Sequence, residues 1–198
     1  MVILILGIVL FLGVHSFTTF REARAGLIEQ LGPGIFKGVY SLVSLAGLAL
    51  IVVGFSRYRA EGWVQLWYPP PGMRHVTILL MWFAFVALAS MGPPPGRPRG
   101  TPSRIRGWLR HPMLVAIKIW ALAHLLANGD LGGMLLFGSF LAWAVFDRIA
   151  VKRRGDLGAP GAGSFTRSDV IAVVAGTVAY LVMIFLHPYL IGVSVMRG

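Results

Sequence analysis

Apolar residues in this chain come in long, nearly unbroken runs separated by short polar stretches, rather than alternating with polar ones. A helix rising about 1.5 Å per residue needs roughly 20 apolar residues to cross about 30 Å of hydrocarbon. Runs of this order lie at Val2 to Phe20, Ile35 to Phe55, His75 to Met91, His111 to Asn128, Leu131 to Asp147 and Val170 to Val193. They predict an all-α fold, a multi-pass transmembrane helix bundle of about six helices, forming a single integral-membrane domain over residues 1–198. The first run lacks a basic start and a small-residue cleavage site, so it reads as a retained anchor rather than a removable signal peptide.

The connections sharpen this picture. Tyr68-Pro69-Pro70-Pro71-Gly72 and Gly92-Pro93-Pro94-Pro95-Gly96 flank the third run and read as helix stops, because proline removes backbone donors and glycine permits reversal. The basic segment from Arg97 to Arg110 reads as a lipid-contacting loop or a flap over a cytoplasmic pocket. Gly155 to Gly163 reads as a flexible link, since no strand precedes it and the Lys-Ser/Thr ending of a phosphate loop is missing. Asp130 follows Asn128-Gly129 as a turn residue, and Asp147 with Arg148 reads as an interfacial group ahead of a local pair or a hold for a propionate. Gly7 and Gly13, or Gly47 and Gly54, are positioned to let helices approach closely.

Composition agrees: 57% of residues are hydrophobic and 13% charged, with mean hydropathy +0.76, too apolar for a soluble domain of this length. The net charge of +11 does not point to nucleic acid, because the basic residues are spread through the loops. Thirteen of them follow the first, third and fifth runs, among them Arg21, Arg24, Arg104, Arg106, Arg110, Lys152 and Arg154. Only Arg57, Arg59, Arg74 and Arg197 lie on the other side. This asymmetry orients the chain with the odd connections in the cytoplasm and both termini in the periplasm of a bacterial inner membrane, and implies contact with anionic lipids.

With no cysteine, iron–sulfur clusters held by thiolates, cysteine nucleophiles and thiolate haem ligands are excluded. Imidazoles in hydrocarbon are costly and point to function, and there are five. By helical rise, His75 lies near the periplasmic surface and His187 roughly 5 Å below it, with His124 at about 10 Å, His15 at about 20 Å and His111 at about 30 Å. His111 and His124 are thirteen positions apart and fall on roughly opposite faces of one helix, whereas His111 and Lys118 share a face. Lys118 can then address a pocket, a propionate or, by snorkelling, the interface. Trp120 and Trp143 are the deeper tryptophans. Residue physics alone leaves three readings of the histidines open: haem held by imidazoles, with His15–His124, His124–His187 or His15–His111 as the pair, zinc or a di-metal site, and plain polar contacts between helices.

The segments LFLGVHSFTTFREAR, LGPGIFKGVYSLVSLAGL, RHPMLVAIKIWALAHLLANGD and HPYLIGVS resemble the successive blocks of the NnrU family of bacterial membrane proteins over nearly the whole chain. NnrU proteins are in turn similar to the plant and cyanobacterial zeta-carotene isomerase, a membrane enzyme that uses haem b with histidine ligands to isomerise a polyene double bond. This resemblance implies haem b with His15 and His124 as ligands, and His111 with Arg110 as pocket residues. The isomerase has a cysteine three residues before its second histidine; Ala121 stands there in this chain, so no thiolate ligand exchange is available. The family's association with denitrification implies a setting of nitrite and nitric oxide metabolism, with nitric oxide or a lipophilic small molecule as partner.

Arg110-His111-Pro112 also resembles the motif of membrane methyltransferases that use S-adenosylmethionine. Here Leu114 replaces the tyrosine of that motif, and no glutamate pair follows the next helix. A third class, a scaffold without cofactor, is equally compatible with bridging histidines.

Overall fold

The computed structural model describes residues 1–92 and 103–195. Among them the chain forms seven helices: α1 Val2–Phe17, α2 Arg21–Ala60, α3 Met73–Ala89, α4 Arg104–Leu109, α5 Pro112–Ala127, α6 Leu131–Arg153 and α7 Arg167–Leu190. Six correspond to the six apolar runs. Three of these, α2, α6 and α7, are both long and apolar enough to cross a membrane, while α1, α3 and α5 are shorter apolar helices.

The helices are inverted relative to a soluble bundle. Large apolar side chains face outward, among them Val9 at 65%, Leu42 at 68% and Phe185 at 68% exposure, and the fully buried positions include Ala121, Ala123 and Ala144. A water-soluble monomer rarely exposes a contiguous apolar patch beyond a few hundred Å², whereas hydrocarbon makes outward-facing leucine and valine costless and leaves small residues to bring helices together. The chain is a multi-pass helical membrane protein.

Three differences from the sequence reading have local causes. The stretch after α1 is helical from Arg21, because REARAGLIEQL is rich in strong helix formers. The helix is broken once, at Gly32 (φ 77°, ψ 155°) just before Pro33, the left-handed conformation that glycine alone adopts without strain. Part of the basic segment is also helical: Ser103 caps α4, its hydroxyl accepting from the Arg106 amide. Arg97 to Pro102, and the prolines at 93–95, lie outside the described residues. Finally, α6 runs on to Arg153, past the expected end at Asp147.

The chain divides into two compact units, Met1–Pro71 with His124–Arg154, and Gly72–Ala123 with Gly155–Gly198. In the first, α1 and α2 pack antiparallel at backbone distance. A Cβ on Gly7 would stand 2.5 Å from the Ile51 amide nitrogen, one on Gly47 2.8 Å from the Phe11 nitrogen, and one on Gly54 would overlap the Leu4 backbone. Gly13, expected to share this role, has nothing within 4 Å. The α2–α3 connection adds a brace: Leu66 and Trp67 amides donate to the Gly129 carbonyl, and Asp130 caps α6 by accepting from the Gly133 amide at 2.8 Å. The turn role read for Asp130 is the one it has.

In the second unit α3 packs on α7 where Gly176 meets the Val86 backbone, with Trp82 Nε1 donating to Thr177 Oγ1 at 3.0 Å and the Tyr180 hydroxyl donating to the Ile78 carbonyl at 3.1 Å. Thr77 Oγ1 donates to the Ala123 carbonyl and ties α3 to α5. Such hydrogen bonds between helices do the joining where the hydrophobic effect gives no drive.

Candidate functional site

The first unit gathers aromatic rings around His15. The side chain stands on α1, with Nδ1 2.7 Å from the carbonyl oxygen of Phe11, one turn back on the same helix. Its ring stacks on Phe11 at 4.2 Å, tilts against Tyr40 of α2 at 5.5 Å, and meets the edge of Trp143 of α6 at 6.0 Å and 90°. Two further polar groups are buried here. Trp143 Nε1 has no hydrogen-bond partner, and Ser44 Oγ makes no well-formed hydrogen bond, its polar neighbour being the Tyr40 hydroxyl. Below this cluster Thr19 Oγ1 donates to Asp147 Oδ1 at 2.9 Å and Arg154 Nη1 donates to the Thr19 carbonyl at 3.1 Å. Asp147, read from sequence as an interfacial group with Arg148, ties α6 to the turn after α1.

His124, at the end of α5, stacks on Phe137 of α6 at 4.5 Å. Phe137, Phe140 and Trp143 recur at a spacing of three on α6, and Phe140 also touches Phe11. One helix thus carries the contacts of both deep histidines. Phe137 and Trp143 are about 9 Å apart along it at 1.5 Å per residue, and about 120° apart around it.

Arg110, His111 and Lys118 belong to the second unit. Arg110 is, among the described residues, the only one other than glycine with positive φ (60°), a strained conformation stabilised by its surroundings. Its carbonyl accepts from the Ala159 amide at 2.9 Å, and Gly158 (φ 76°) packs directly on that carbonyl and on His111 Nε2, which is buried without a hydrogen-bond partner. The glycine-rich stretch expected to be a flexible link is therefore docked on the Arg110-His111 corner. Lys118 is half-buried on α5. His75 is exposed at the start of α3, and His187 Nδ1 lies 2.7 Å from the Val193 carbonyl.

The residue that sequence reasoning missed is Asp169. It is 1% exposed, and its carboxylate accepts from Ser103 Oγ (2.7 Å), the amides of Arg104, Ile105 and Thr166, and Thr166 Oγ1. The signal was present: Thr166-Arg167-Ser168-Asp169 before an apolar run is a capping box.

Among the described residues no group of three or more histidine, aspartate or glutamate side chains is gathered closely enough to hold a metal ion by itself. A zinc or di-metal centre needs three or four such ligands. A porphyrin iron needs only one or two imidazoles from the protein, and His15 offers one in an aromatic setting.

The sequence profile described as NnrU protein matches residues 3–195, and the chain belongs to that family. No curated protein and no solved structure matches it.

Proposed function

We propose that this NnrU family protein binds haem b through His15 and His124, and serves nitrogen-oxide respiration or redox-dependent chemistry on a lipophilic molecule in the bacterial inner membrane, with both termini in the periplasm. The observation that carries the reading is the pose of His15. A carbonyl oxygen can only accept, so Nδ1 donates to Phe11, and in the neutral ring this leaves Nε2 as the nitrogen that can ligate a metal. Phe11, Tyr40 and Trp143 supply planar apolar surface of the kind a porphyrin buries against.

His124 offers a second imidazole, stacked on Phe137 of the helix whose Trp143 meets His15, and would be the other residue to hold the haem. Bound haem would supply one-electron transfer or capture of a small gas at iron. The chain's own part would be to hold the imidazoles and to wall them with Phe11, Tyr40, Phe137 and Trp143.

The test is the absorption spectrum of protein purified in mild detergent and after reconstitution with haem. A Soret band is expected, with low-spin features disturbed in both His15→Ala and His124→Ala and unchanged in His111→Ala. No Soret band in either preparation overturns the haem reading. Native spectra in both of the first two variants overturn the ligand assignment.

A further inference from the structure

Helix α4 has only six residues, too few to persist alone in water, yet it is held on three sides. Asp169 binds its first amides and its cap. Gly107 lies against Gly161 so closely that a Cβ would overlap the Gly161 backbone, and the Arg110 carbonyl after α4 accepts from Ala159. Residues 157–169 therefore run antiparallel along α4, and the result is a stiff platform.

That platform presents what a folded protein ordinarily hides. Trp108 is 63% exposed, Phe165 59% and Leu157 76%. Trp108 and Phe165 meet edge to face at 5.8 Å, and the Arg104 guanidinium lies against both rings, at 4.8 Å and 5.3 Å. Cation–π contacts of this kind hold the guanidinium beside the rings and leave its N–H groups for an oxyanion. Arg110, two residues beyond Trp108, is exposed as well. Neither nearby carboxylate competes: Asp156 accepts from the Gly158 amide, and Asp169 is buried beneath the helix with its donors.

Position supplies the partner. The platform follows the end of α3, precedes the start of α5, and is tied to the start of α7, so it sits where three apolar helices end. That is the level of the headgroups, where tryptophan and arginine are favoured. We propose that Arg104, Trp108 and Phe165 form a docking surface for anionic phospholipid, the guanidinium meeting the headgroup phosphate and the two rings lying at the acyl boundary. The proposal is independent of haem.

Brominated phosphatidylglycerol and brominated phosphatidylcholine in nanodiscs test it, reading the tryptophan fluorescence lost in Trp108→Phe. Trp108 is expected to be quenched in both, and as the two lipids are mixed to show a preference for phosphatidylglycerol that falls roughly fivefold in Arg104→Gln and survives in Arg104→Lys. An unquenched Trp108 overturns the membrane contact. Equal quenching by the two lipids, or a preference unchanged in Arg104→Gln, overturns the anionic headgroup site. Unchanged far-ultraviolet circular dichroism and an unchanged unfolding midpoint in detergent separate either result from loss of fold.

Discussion

The hydroxyl of Ser103 and the carboxylate of Asp169 meet at 2.7 Å across 66 residues of chain, and this bond joins the start of α4 to the first turn of α7. Asp169 serves two helix ends at once: it closes the capping box with Thr166 and accepts the orphan amides of α4. An amide in its place turns one acceptor into a donor facing donors. Asp169→Asn is expected to destabilise the protein by about 2–4 kcal/mol, seen as a lower unfolding midpoint in detergent, with faster hydrogen exchange at Arg104 and Ile105.

The α1–α2 contact allows a paired prediction. Gly54→Ala forces the helices apart because its Cβ meets the Leu4 backbone, which cannot move as a side-chain tip does. A loss of about 1–3 kcal/mol is expected. Gly13→Ala, on the same helix pair but with open space around it, should be neutral or slightly stabilising. Reversible unfolding of the two variants compares them directly, and equal losses would contradict the packing described.

At the Arg110 corner, Gly158→Ala combines a strained positive φ with overlap on the Arg110 carbonyl. About 1–3 kcal/mol is expected to be lost, together with protection of the Ala159 amide from hydrogen exchange. Gly163→Ala has open space and should leave that protection intact.

Thr19 and Asp147 should be energetically coupled. Thr19→Ala and Asp147→Asn are each expected to cost about 1 kcal/mol, and the double variant less than their sum by about 0.5–1.5 kcal/mol. Strict additivity in the cycle would show that the bond contributes nothing.

The family blocks that include His15, Tyr40 and Ser44 were recognisable in the chain, but their meeting was not. His15 and Tyr40 lie on different helices, and Trp143 arrives from a third more than a hundred residues away. No local periodicity encodes that convergence. Asp169 illustrates a different gap: its capping box was written in four consecutive residues, but its second partner, Ser103, depended on where α4 lies. The kink at Gly32 and the helical form of Arg21 to Leu31 were both consistent with local propensity and were hidden by charge, which made a helical stretch look like a loop.

What the sequence determined by itself is the membrane character and the number and order of the apolar helices. Hydrocarbon demands that each spanning segment satisfy its own backbone, and a run of apolar residues records that demand locally. Which helices touch was decided only in three dimensions. Helices in lipid associate through small-residue notches, single hydrogen bonds and shape, and each such contact draws on residues far apart in the chain. The stacking of His15 on Phe11 beside Tyr40 and Trp143, and the closing of Asp169 on α4, are properties of that packing.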